Sequence, residues 1–187
     1  MILLPLYLQD LRGLSAMQTG ALVMPGGIAM GLLGPRVGHL YDKVGSRPLV
    51  IPGSIVMVAA LAALSRVDVD TPFWQILAAH VVLMVSLATI FTPVFTLGLG
   101  ALPQELYSHG SSILGTLQQV AGAVGTAVLV VILENRTTSM IESGAAPDAA
   151  FVNGLQWAFV VGAIFGAVVI ALSVLLPSKA DQPASMH

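Results

Sequence analysis

Of the four histidines, His80 alone lies deep inside one of the long charge-free stretches of this chain, and an imidazole is the side chain that can titrate near neutral pH. It either exchanges protons or is hydrogen-bonded between helices or near an interface. On the same stretch Thr89, Thr92 and Thr96 recur at i, i+3 and i+7, a single polar stripe at 100° per residue, with His80 on nearly the opposite face. Their hydroxyls suit either contact with a polar solute or back-bonding to their own helix. Pro93 is placed to bend that helix by freeing the carbonyl of Thr89. Further along, Gln118 shares a stripe with Gly115, Gly122 and Gly125, while Gln119 sits 100° round. A carboxamide away from water needs a partner, either a neighbouring helix or a solute in a wet cavity. The densest charge lies in the segment from Gly38 to Arg47, which includes Asp42, Lys43 and Gly45. No Ser/His/Asp set or phosphate-binding loop is visible, so the chain does not read as an enzyme. Without cysteine, and with four scattered histidines, no metal site or cofactor is expected.

The elements that must position these groups are set by the spacing of charge. Charge-free runs extend over residues 13–35, 48–65, 71–104, 106–133 and 149–178. A bilayer crossing needs about 20 apolar residues and two crossings with a turn about 40, so each run holds one helix. The spans are expected near 15–37, 48–65, 73–98, 111–133 and 153–176. The composition agrees: 56% of residues are hydrophobic, 9% are charged, and the mean hydropathy is +0.91. A soluble domain carries about 25% charged residues. The expected fold is therefore an all-α polytopic membrane protein whose first partner is the lipid bilayer. A net charge of −2 without a basic tail argues against a nucleic-acid partner.

Residues 1–9 are apolar but reach Asp10 too soon to span, and they lack the basic flank and cleavage site of a signal peptide. They read as the remnant of a truncated transmembrane helix ahead of a five-helix domain over 15–176, with 177–187 as a tail. Arg36, Lys43, Arg47 and Lys179 fall on one side of the membrane, and Arg12, Arg66 and Arg136 on the other. That bias puts the Lys43 segment and the C-terminus in the cytoplasm of a multi-pass cell-membrane protein. Small residues at Gly27/Gly31, Gly34/Gly38 and Ala158/Gly162/Gly166, together with the Gly115, Gly122 and Gly125 stripe, are expected to be helix-packing positions. Met17, Met24, Met30, Met57 and Met84 suit core or lipid contact, and also adaptable binding surface.

The pattern Gly38-x-x-x-Asp42-Lys43-x-Gly45-x-Arg47 between two spans resembles the cytoplasmic G-x-x-x-D-R-x-G-R-R loop of the major facilitator superfamily. Leu4-Pro5-Leu6-Tyr7-Leu8-Gln9, Gln18-Thr19-Gly20 and Met24-Pro25-Gly26-Gly27 come next in the likeness. Leu102-Pro103, His109-Gly110-Ser111-Ser112 and the run from Gln118 to Ala127 complete it. As an ordered set these resemble the C-terminal half of fourteen-helix drug:proton antiporters of the EmrB/QacA type. Lys43 stands where the family usually has arginine, and Ser46 where it has the first of two basic residues. Lysine lacks arginine's planar fork, so bidentate pairing at Lys43 is not expected.

The resemblance implies a six-helix half-bundle with its first helix truncated, a conformational latch at Gly38, Asp42, Lys43, Gly45 and Arg47, and a fourth helix that lines a central cavity. The implied function is multidrug efflux by proton antiport with alternating access. Its partners would be the absent N-terminal half and a small amphipathic or cationic substrate. No Asp or Glu lies within the spans, so the proton carrier is expected elsewhere unless it is His80. A non-transporting membrane scaffold, built from the same packing stripes, is the alternative.

Overall fold

The helices begin and end at recognisable chemical signals. The computed structural model describes residues 2–177. A short helix α1 (Leu3–Leu6) widens into a π turn over Tyr7–Leu11 and stops at Gly13, whose φ of 65° takes the chain into the left-handed region. Ser15 then opens α2 (Ala16–Val44) with a capping box. Its hydroxyl accepts from the Gln18 N–H at 3.2 Å, and Gln18 Oε1 accepts from the Ser15 N–H at 2.9 Å. Gly45, at φ 82°, closes α2, and α3 (Arg47–Leu64) starts two residues later. After the turn at 65–72 comes α4 (Phe73–Gly100), which contains Pro93. A 3-10 turn at Gln104–Leu106 leads into α5 (Tyr107–Glu142). Gly144, φ 91°, ends α5 with the paired bonds of a Schellman motif, Ala145 N–H to Met140 O and Gly144 N–H to Ile141 O. Pro147 then takes the first position of α6 (Pro147–Ser173), where its missing N–H costs nothing.

The described residues are all-α, and five helices are long and apolar enough to cross a membrane. Two of them run well past the charge-free stretches. The segment Gly38–Val44 is not a loop: it forms the last two turns of α2, because no proline lies between Gly38 and Gly45, and the connection shrinks to Gly45 and Ser46. Likewise α5 continues nine residues beyond Leu133, through Glu134 and Arg136. Charge ends a membrane span without ending a helix, since Glu and Arg are good helix formers. Pro48 occupies the first turn of α3, and Pro52 lies inside it. The expected tail, with Lys179, falls almost wholly outside the described residues.

Packing places α4 between α2 and α3, α6 on the far side of α3, and α5 against α6. Glycines set how closely these helices approach. A Cβ on Gly154 of α6 would stand 2.5 Å from the Leu133 carbonyl oxygen of α5, and one on Gly166 would stand 2.7 Å from Val58 of α3. The main apolar cluster joins α1 to the rest through Tyr7, Leu8, Leu64, Ile76 and Leu155, all essentially inaccessible. In contrast, α5 has only Gly110 and Leu133 buried, and α2 only Thr19, Gly26, Val37 and Tyr41. The middle of the bundle is thus saturated with contacts while both flanks stay open.

Candidate functional site

The charged segment occupies the end of α2 and the turn into α3. Asp42, Lys43 and Arg47 are exposed, Gly45 is buried, and Gly38 faces the Thr92 methyl of α4, which would lie 3.9 Å from a Cβ. Ser46 is fully buried and its hydroxyl donates to the Pro177 carbonyl at 2.6 Å. Arg47 Nε donates to the Leu176 carbonyl at 2.5 Å. The turn is therefore bonded to the segment that follows α6.

On α4 the expected stripe divides among different neighbours. The Thr89 hydroxyl donates to Ser86 O at 2.7 Å, and the residue abuts Gly53 of α3. Thr92 meets α2 at Gly38, and Thr96, exposed, back-bonds to Thr92 O at 2.8 Å. His80 also faces α2, so it does not lie opposite all three threonines. It is buried, with Nε2 3.2 Å from the Val23 carbonyl oxygen. A stripe counted at 100° per residue treats α4 as having one inner side, but α4 is flanked by α2 and α3 and has two. Pro93 is buried among these contacts.

On α5, Gln118 is exposed, and nothing lies within 4 Å of a Cβ built on Gly115, Gly122 or Gly125. These three glycines are thus not packing positions between helices of this chain, because the part of α5 before Gly125 stands clear of α6. On α2, Gly27, Gly31 and Gly34 are equally open. Gly162 and Gly166 of α6 do meet α3, at Leu61 and at Val58 with Met57.

Several contacting residues were not singled out by spacing. Arg12 donates through one guanidinium nitrogen to Tyr7 Oη at 2.9 Å and to the Thr71 carbonyl at 2.8 Å, and it sits 4.4 Å over the Phe73 ring. Tyr7 Oη in turn donates to the Asp68 carbonyl at 2.7 Å. Gln156 Nε2 reaches the Val67 carbonyl at 3.0 Å. Three side chains, two from the π turn and its cap and one from α6, thereby hold the α3–α4 turn. The bonds that reach the turn go to backbone carbonyls, which leave no trace in residue types. Gly26 and Gly53, beside Pro25 and Pro52, were the one readable signal of close approach.

Together these features contain no nucleophile–base pair, and the described residues hold no group of metal-ligating side chains. What they provide is a packed centre, two open flanks and an exposed carboxamide, Gln118, on the flank formed by the membrane-length helix α5. The family model described as Major Facilitator Superfamily matches residues 1–126. Lincomycin resistance protein LmrB of Listeria monocytogenes serovar 1/2a is 42% identical over 181 residues, covering 94% of this chain and 38% of that protein. The protein of the same name in Bacillus subtilis is 39% identical over 166 residues, covering 86% of the chain and 35% of that protein. Uncharacterized MFS-type transporter YcnB of Bacillus subtilis is 34% identical over 186 residues, covering 99% and 39%. The chain therefore spans well under half the length of each of these relatives.

Proposed function

This chain belongs to the Major Facilitator Superfamily, and on that premise we propose that it forms the C-terminal half of a multidrug exporter. The exporter works by proton antiport and alternating access, with two helix bundles rocking about a site near the bilayer midplane. The drug-resistance names of its relatives support the substrate class, a small amphipathic or cationic drug. The observation that carries the reading is the open flank of α5. Gln118 is exposed there beside Gly115 and Gly122, in a span long enough to cross the membrane. A carboxamide turned to hydrocarbon costs roughly 1–3 kcal/mol when unpaired. Facing the other half and its aqueous cavity removes that cost, and glycines beside it leave room for a ligand or a close helix. The Asp42 and Lys43 end of α2 lies on the cytoplasmic side and meets the other half there.

In the intact transporter, Gln118→Leu should lower drug export while membrane abundance stays unchanged. A fall in abundance with unchanged export per molecule would make Gln118 a packing residue and remove the main support for the reading.

A further inference from the structure

Two residues at the start of α3 disobey the local rules for a helix start, and both do so toward the same place. Ser46 occupies the N-cap position, where a serine hydroxyl ordinarily accepts from the second or third backbone N–H of the helix. Here it makes no such bond; it donates to Pro177 O at 2.6 Å and is fully buried. Arg47 is the first residue of α3, where a cation opposes the positive end of the helix dipole. Its Nε donates instead to Leu176 O at 2.5 Å. The far partner has the complementary need. The last turn of α6 contains no basic residue. The carbonyls of Leu172 and Ser173 accept from the N–H groups of Leu175 and Leu176, whereas those of Leu176 and Pro177 have donors from outside the helix. Arg47 and Ser46 supply them, and the guanidinium brings positive charge to the negative end of α6.

We propose that Arg47, assisted by Ser46, is a positioning residue that fastens the end of α6 to the α2–α3 turn, so that the turn and α6 move as one body. The inference rests on the transporter reading, in which this turn meets the other half, and it reassigns Arg47 from a latch between halves to a clamp within this one. Its consequence is mechanical. The main neighbours of α2 are in α4, and those of α5 are in α6. The clamp links the end of α2 to the end of α6, the neighbour of α5, in addition to the contacts of the buried middle.

This chain contains no cysteine, so in an intact transporter whose other half has been freed of cysteine the engineered thiols report alone. In the intact transporter, Arg47→Cys should reduce export by roughly tenfold, the factor to which one charge-assisted hydrogen bond corresponds. Bridging Arg47→Cys to Leu176→Cys with a short reducible bis-methanethiosulfonate should restore export to within about twofold of the parent, reversed by reductant. Trimethylammonium-ethyl methanethiosulfonate on the single Arg47→Cys variant returns the charge but no donor, and should not restore export. Rescue by the trimethylammonium reagent, failure of the bridge to form, or a formed bridge without rescue would each overturn the clamp. If the unmutated transporter exports no drug, the transporter reading fails. The clamp is then judged by melting: the bridged pair should melt higher than its reduced form, and equal melting overturns it.

Discussion

The imidazole of His80 sits in a notch that Gly26 leaves on α2, with Nε2 donating to the Val23 carbonyl at 3.2 Å. A Cβ on Gly26 would stand 2.6 Å from His80 Cδ2 and 2.7 Å from both His80 Nε2 and Met84 Cγ. The ring cannot withdraw without giving up its bond, so Gly26→Val should destabilise the purified protein by about 1–3 kcal/mol through overpacking. Pairing it with His80→Ala should return part of that loss. An unchanged melting temperature for Gly26→Val would mean that α2 and α4 are further apart than described.

The glycines separate into two groups that substitution should tell apart. Gly154→Leu and Gly166→Leu force a side chain against Leu133 O and Val58 respectively, and should lower both melting temperature and abundance. Gly115→Leu and Gly122→Leu meet open space within this chain, and should alter its own stability by less than about 0.5 kcal/mol. On the transporter reading they should nevertheless depress export, because the added side chains occupy the face turned to the other half. Equal destabilisation by all four, measured on the purified chain, would contradict the open flank.

Why one group of glycines was readable and the other was not follows from what a sequence encodes. Hydropathy runs and charge located five crossing helices, since burying a charge in lipid is costly wherever the helix stands. Spacing also marked small-residue stripes, but not whether a neighbour from the same chain fills them. Gly115 and Gly166 sit in equally apolar helices and differ only in tertiary placement. The length of α2 was misjudged because a helix can outlast the membrane that its span crosses, and only Gly45, with its positive φ, stops it. The stripe of Thr89, Thr92 and Thr96 failed as a single face because α4 has packed neighbours on two sides. Bonds such as Arg12 to Thr71 O were invisible, since any residue presents the same carbonyl.

The orientation is open to a direct test. Val44 and Ser143 are both exposed and lie at opposite ends of the bundle, at the close of α2 and of α5. With cysteine at each position singly, an impermeant maleimide should label Ser143→Cys in intact cells, and Val44→Cys only after the membrane is opened. Ser46, fully buried, would be a misleading probe. Labelling of both from outside would overturn the placement of the Asp42 end in the cytoplasm.

The last expectation concerns what drives export. His80 is the only histidine in the expected spans, and no Asp or Glu accompanies it there. Its geometry is that of a donor holding α2 to α4: the Val23 carbonyl only accepts, so Nε2 carries a proton. Glutamine places an amide N–H near the position of Nε2 and cannot titrate in the physiological range. If His80 is structural and the proton carrier lies in the other half, His80→Gln should retain gradient-driven dye export within about threefold, whereas His80→Leu, which removes the α2–α4 hydrogen bond, should lower stability. If His80 carries the proton, His80→Gln should move dye only down its own gradient and ignore a pH step across the membrane. Measuring dye flux in vesicles with and without an imposed pH difference separates the two, and loss of the pH response in a stable, abundant His80→Gln protein would make His80 the coupling residue.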